Sequence, residues 1–430
     1  MKNKKLVFGI LLLSAFAFMA CAQKYDDEKD FEVEPIEGSE TVKITGYAGE
    51  KQEIRIPPKI EKKPVVEIGE EAFAEKQLTS AVIPHSVTII GPGAFAKNQL
   101  TGVVIPDSVT VIGDYAFTEN QLTGIAIPDS VTAIGDYAFA ENQLISAATG
   151  GGVTAIGVKA FTNNQLTTVT IGKNVASIEE EAFSNNKLNS VTIPNNVTTV
   201  GEKAFSNNQL TKVTLGNSVT SIGIRAFEKN QLTAVVIPDS VTSIRGRAFA
   251  ENQLTSVTMG SGVTSIGDDA FSSNKLTGVV IPHSVTSLGE HAFGSNQLAT
   301  LTIGNGLTTI RYAAFTKNKL TSVTIGNKVT TIGEDAFADN QLTDVVIPDS
   351  VTSIGDYAFS NNQLASVTIG SGVTEIKYAA FADNQLTSIT IGADVSVWTS
   401  AFDNGFANFY VAQGRTAGTY TFADNQWSLD

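Results

Sequence analysis

The chain has 430 residues, a net charge of −14 and only 17% charged residues. An acidic chain with no basic stripe is a poor partner for nucleic-acid phosphates, and a single cysteine, Cys21, excludes an intrachain disulfide and a cysteine metal cluster. With so few charges, the surface must be built largely from Ser, Thr, Asn and Gly.

The first residues, MKNKKLVFGILLLSAFAFMAC, place Lys2, Lys4 and Lys5 before an apolar run from Leu6 to Phe18. Such a run is too short to span a bilayer as a helix but suits the core of a signal peptide. The segment resembles a bacterial lipoprotein signal, although Phe18 stands where Leu is usual. The resemblance implies removal of residues 1–20 and lipidation of Cys21, which would anchor the chain in the cell envelope, exposed on the outer membrane. The other reading is an ordinary secretory signal with an incidental cysteine. Residues 22–40 carry eight acids and two lysines. They are expected to be a disordered acidic tether (21–40 with Cys21), because so polar a stretch buries too little apolar surface to order itself.

From residue 73 onward one pattern recurs. The stretch Leu342 to Gln363 reads LTDVVIPDSVTSIGDYAFSNNQ, and its Phe returns fifteen times at an unbroken 22-residue spacing, from Phe73 to Phe381. A fixed period of this length means a solenoid. Within each repeat, alternating residues such as Val235 and Ile237 read as a strand with one buried face. Pro or Gly then ends it (Pro238, Gly260), a second apolar pair follows (Val241, Ile244), and an acidic Ala-Phe segment (Asp356 to Phe359) reads as a one-turn helix. Stacking would make the Phe a continuous internal spine and the Asn from Asn98 to Asn384 a hydrogen-bonded ladder. Residues 41–72 hold an imperfect first coil, expected as an N-terminal cap to the array over 73–391. Residues 392–430 leave the period and gather aromatics, expected as a hairpin-like C-terminal cap; binding through those aromatics is the alternative. Leu144 to Gly152, LISAATGGG, is the most degraded strand, and its glycines predict the weakest stacking, with a bend there.

The pattern L-x-x-V-x-I-P-x-x-V-x-x-I-G-x-x-A-F resembles the BspA-like (treponemal-type) leucine-rich repeats of bacterial surface proteins, over residues 41 to about 400. The repeat here is slightly shorter than that family's usual one and richer in Asn-Gln before each Leu. The resemblance implies a leucine-rich repeat solenoid, strand-rich, with a strand on its concave side and a short strand or turn plus a one-turn helix opposite. It also implies a surface role, since members are implicated in binding host matrix proteins, host cells or other bacteria.

The residue pattern argues against catalysis and calls for no cofactor or metal. His85 and His283 occupy the same repeat position as Asp107, Asp129, Asp239 and Asp349, nine repeats apart or about 43 Å at 4.8 Å per coil. His291 sits in an acidic turn. No P-loop, nucleophile elbow or H-E-x-x-H appears, and paired acids recur only because the turn recurs.

Two surfaces remain. The outward strand positions are nearly uncharged, as at Thr258, with Lys212 and Asp344 bringing charge; they suit an extended protein or glycan ligand, or merely satisfy strand preference. The Gly after the second apolar pair is present in eleven coils and replaced by Glu179, Arg245, Arg311 and Lys377, each three coils after the last. Arg245, Arg311 and Lys377 would form a row about 14 Å apart, with Arg247 nearby, a candidate contact for an anionic partner or the imprint of a three-coil duplication. Two functions fit: an adhesin that binds through its repeat surface, or a structural, scaffolding lipoprotein of the envelope.

Overall fold

The computed structural model describes residues 24–430, so Cys21 and the expected leader lie outside the described residues. The chain divides into two compact units, with the boundary between Ser218 and Val219. Each is a strand-rich β-solenoid with 22-residue coils, and helix is confined, among the described residues, to the 3-10 turn Glu28–Asp30 and the α-helix Phe406–Ala412.

One coil shows how the sequence makes the unit. Asp344–Ile347 forms a parallel strand in register with Ser366–Ile369, each residue facing its counterpart in the next coil. Val345 and Ile347 point inward and are buried, while Asp344 and Val346 point out. The chain turns at Pro348, and Val351 and Ile354 return to the core, with Ser353–Ile354 pairing Glu375–Ile376. Phe359 then enters the axis with no exposed surface. The rings stack face to face, 5.1–5.4 Å apart from Phe73 to Phe205 in the first unit and 5.2–5.8 Å apart from Phe227 to Phe381 in the second. Burial of each contributes about 1.5–3 kcal/mol.

The acidic segment before each Phe is not a one-turn helix. Tyr357 and Asn361 both adopt left-handed backbone, with φ of 55° and 51°, a conformation that costs roughly 1–2 kcal/mol for a residue with a Cβ. The compensation lies in where the amides point. The N–H groups of Tyr357, Phe359 and Asn361 donate to Tyr378, Ala380 and Ala382 of the next coil at 2.8–3.0 Å, while those of Ala358 and Ser360 close the turn locally. A helical turn would aim every amide back along its own coil and leave the next coil's carbonyls unpaired. The acid here serves stacking as well: Asp356 Oδ1 accepts the N–H of Tyr378 at 3.0 Å, as Asp114 accepts that of Asp136 at 2.8 Å.

The Asn column is a ladder of a different kind from side chain on side chain. Asn142 Oδ1 accepts the Leu122 N–H at 3.0 Å, and its Nδ2 donates to Phe117 O of the preceding coil and to Phe139 O and Ala140 O of its own. One buried amide thereby satisfies main-chain groups of two coils.

The degraded strand Ser146–Ala148 holds full parallel register with Gly124–Ala126 before it and Thr168–Thr170 after it, so no break in stacking occurs there. Its glycines have a purpose. The Gly151 N–H donates to Asp129 Oδ1 at 2.7 Å, and a Cβ on Gly152 would overlap the Asp129 carbonyl oxygen. The same lock recurs at Asp239 with Gly262, His283 with Gly306 and Asp349 with Gly372. Buried Thr149, standing where Ile is usual, accepts the Gly172 N–H with its Oγ1 at 2.7 Å.

Residues 28–35, expected within a disordered tether, are ordered. Phe31–Pro35 pairs antiparallel with Val42–Tyr47, which runs parallel to Lys63–Ile68. Phe31 is buried, its ring centroid 5.5 Å from Tyr47 and 6.2 Å from Phe73, so it closes the first end of the Phe stack. Two acids of the segment bind the first coil: Asp26 accepts from Lys51 Nζ and the Arg55 N–H, both at 2.6 Å, and Glu28 accepts the Glu61 N–H at 2.8 Å. An exposed strand edge supplies hydrogen bonds and a buried face that the composition of the segment alone does not.

At the other end Phe402 stacks on Phe381 at 4.9 Å, and the helix Phe406–Ala412 lays Phe406 edge-on against it at 5.0 Å. The hairpin Gly418–Ala423 and Gln426–Leu429 joins antiparallel to Ser388–Ile391. Phe406, Tyr410, Tyr420 and Trp427 are buried in this layer, the Tyr410 hydroxyl donating to Gly392 O at 2.6 Å, so these rings cover the coil and offer no free binding face.

Candidate functional site

The residues singled out from the sequence do not converge. Lys212 is exposed at the start of the strand Lys212–Thr214 in the first unit, whereas Thr258 and Asp344 stand on strands of the second, four coils apart or about 19 Å. Thr258 lies beside Val236 in the exposed column of its sheet. That column carries Val236, Val280 and Val346, each more than 60% exposed. β-Branched side chains at such positions fit the pleat, but so much exposed valine on one face is surface left available for contact.

Arg245, Arg311 and Lys377 follow the second strand of their coils, on a different edge from this face. Arg245 is exposed and has no side-chain partner among the described residues. Arg311 is 53% exposed and reaches Asp268 at 4.0 Å, an exposed pair worth at most about 1 kcal/mol. Lys377 is half-buried, with Tyr378 beside it 43% exposed. Arg247, expected as a further charge near this row, is engaged elsewhere. Its guanidinium is held by Glu228 at 2.6 Å, Glu251 at 2.7 Å and Asp269 at 3.9 Å, and the hydrogen bond it donates to Glu228 pushes its pKa up. Glu228 is itself buried in a column otherwise made of Thr, Ser, Ala and Gly.

Two of the three histidines have partners in the next coil. His283 Nδ1 accepts the Asn305 N–H at 3.0 Å, the same service that Asp239 and Asp349 perform for Ser261 and Ser371. The backbone N–H and then the hydroxyl of Ser371 hold the Asp349 carboxyl below the ordinary range. His291 packs edge-on against Tyr312. Among the described residues, no group of three or more His, Cys, Asp or Glu is placed to hold a metal ion.

One feature was invisible as sequence. In the first unit the left-handed turn residues Tyr115, Tyr137, Lys159 and Glu181 line up in consecutive coils. They rim a groove of about 330 Å³ whose other wall includes Glu119, Glu141 and Asn163. Read as a one-turn helix, the segment gives no reason for these side chains to align; the clue available was that Tyr115 and Tyr137 fall at the same repeat position.

With this geometry in view, the comparisons are decisive at the level of family. The family model for the BspA type leucine-rich repeat region matches residues 66–189, 176–299 and 289–408, most of the chain. The chain belongs to the BspA-type leucine-rich repeat family. A leucine-rich repeat protein from Bacteroides ovatus is similar in structure, with 23% identity and a TM-score of 0.60, over 84% of this chain and 92% of that one. A leucine-rich cell surface protein from Faecalibacterium prausnitzii gives 25% identity and a TM-score of 0.45, over 88% and 95%. The pneumococcal vaccine antigen PcpA gives 19% and 0.47, over 86% and 88%. No curated protein matches the chain. The repeat recurs through the matched residues, and the Arg245 row and the tyrosine groove lie at departures from it.

Proposed function

We propose that this BspA-type protein is a non-catalytic adhesin of the cell surface, attaching its cell to an extracellular protein or glycan through the repeat surface. The observation that carries the reading is the exposed strand column of the second unit, where Val236, Val280 and Val346 stand among threonines such as Thr258. A row of β-branched side chains free of charge can be covered at little desolvation cost, and the adhesive role of the family supports a macromolecular occupant. The leader ending at Cys21 supports anchoring by a lipidated cysteine in the outer membrane. Arg245, Arg311 and Lys377 would add an electrostatic contact to an acidic region of the partner, with Lys212 and Asp344 as charged markers on the strand faces.

The test joins exposure to binding. Protease added to intact cells should cleave the protein, and the purified full chain should be retained on immobilised extracellular matrix proteins. Val236→Asp with Val280→Asp should reduce retention at least about tenfold, since each buries a charge at the contact. Reversing Arg245, Arg311 and Lys377 to Glu should weaken retention mainly at low salt. Protection from protease on intact cells, or retention unchanged by the double valine variant, would sink the adhesin reading and favour an envelope scaffold.

A further inference from the structure

The groove of the first unit carries an inference independent of the adhesin reading. Tyr115 and Tyr137 stack with ring centroids 4.7 Å apart and planes 8° from parallel. The far face of Tyr137 is already occupied: Lys159 Nζ lies 5.4 Å from its centroid and 3.8 Å from Glu181. The far face of Tyr115 looks toward the preceding coil, where the equivalent residue is Gly93, which has no side chain to cover it. Tyr115 is accordingly 46% exposed. Glu71 reaches toward this position from the coil before, its Cγ 3.1 Å from where a Cβ on Gly93 would lie. Glu119 flanks it in the second row and makes no side-chain hydrogen bond or close ion pair among the described residues. The nearby Lys97 is hydrogen-bonded to Glu75 at 3.1 Å and is also attracted, at longer range, by Glu119 and Glu71.

One end of the ring stack therefore holds a cation seated on the ring with a carboxylate behind it, while at the other end the carboxylates stand beside a ring face on which no cation sits, Lys97 being turned to Glu75. We propose that the Gly93 gap is a binding site for a cationic side chain, the lysine or arginine of a basic peptide segment, seated on the outer face of Tyr115 between Glu71 and Glu119 with the peptide continuing into the groove. An ammonium or guanidinium over an aromatic face is attracted by the ring quadrupole, and the net charge of −14 steers basic segments toward the protein. A second ring in the gap, rather than a cation, would find no hydrogen-bonding use for two carboxylates.

Calorimetric titration of the full chain in detergent with tetralysine amide, and with its Nε-acetylated form, tests this. The charged peptide should bind and the acetylated one should not. Tyr115→Leu should weaken binding by about 2- to 30-fold, the range expected for loss of one cation–π contact. Tyr115→Trp should keep or tighten it, and Glu119→Gln should weaken it and flatten its salt dependence. Tyr357→Leu, at the equivalent turn position of the second unit, should leave it unchanged, and the melting temperature of each variant reports folding. Equal binding of the acetylated peptide, binding indifferent to Tyr115→Leu, or no binding by the unmodified chain would overturn the proposal. So would a neutral oligosaccharide that binds in a Tyr115-dependent way while tetralysine does not.

Discussion

Asn142 shows how much one side chain can hold in this protein. It sits 7% exposed among four main-chain partners spread over two coils. Asn142→Ala strands the Leu122 N–H inside the coil, at a cost of about 1–3 kcal/mol, and removes the shorter of two amide bonds to the Phe117 carbonyl, which keeps the one from Asn120 at 3.2 Å. The expected loss is about 1–3 kcal/mol by urea denaturation; a change under about 1 kcal/mol would mean that water replaces the amide. The column was legible in the sequence as a repeated Asn. Its partners were not, because an Asn column stacked side chain on side chain and one bonded to backbone have the same spacing.

At the scale of the coil, the instructive element is the turn that follows each Pro or Gly. A Pro-Asp-Ser coil followed by a Gly-x-Gly coil interlocks, the Asp or His side chain taking the middle N–H of the next turn and the second Gly lying against the backbone of the first. Gly262→Ala would drive a Cβ into the Asp239 carbonyl oxygen. Overpacking of this kind costs about 1–3 kcal/mol, and the loss of hydrogen-exchange protection should centre on residues 239–263. Protection as in the unmodified protein would show that the coil adapts. The glycines of Leu144 to Gly152 looked like decay because Gly lowers strand preference when it is taken alone. They are instead required by a neighbour in the preceding coil, Asp129, which local propensity does not register. The acidic Ala-Phe segment misled for a related reason: an acid before Ala and Phe favours a helix N-terminus locally, but stacking rewards amides that point to the next coil.

At the scale of the whole molecule, a solenoid has two ends to cover, and the structure covers each with aromatics. In the first unit the cap is Phe31 on Tyr47 and Phe73. Because coils interact with nearest neighbours, Phe31→Ala should release exchange protection most strongly in residues 42–47 and 63–68, with little change near residues 133–134. A uniform loss across the first unit would show instead that it unfolds as one cooperative body. The candidate surfaces are likewise distributed. The strand face and the Arg245 row belong to the second unit and the tyrosine groove to the first, so a partner of one need not be a partner of the other.

The period, the buried columns and the family were determined by the sequence alone, because a strict repeat forces each position onto itself in the next coil and so fixes which side chains share an environment. What only the tertiary structure decided was direction and pairing. Arg247 reads as a neighbour of Arg245 but is engaged by Glu228, Glu251 and Asp269. Phe31 reads as part of an acidic tether but finds a strand edge and an exposed ring to cover. Tyr115 and Gly93 are inconspicuous in adjacent repeats until the turn becomes left-handed and places one ring against a position with no side chain of its own. Periodicity carries information about which residues are equivalent; which way a side chain or an amide points depends on backbone angles settled by hydrogen bonds between coils, and those exist only once the coils have stacked.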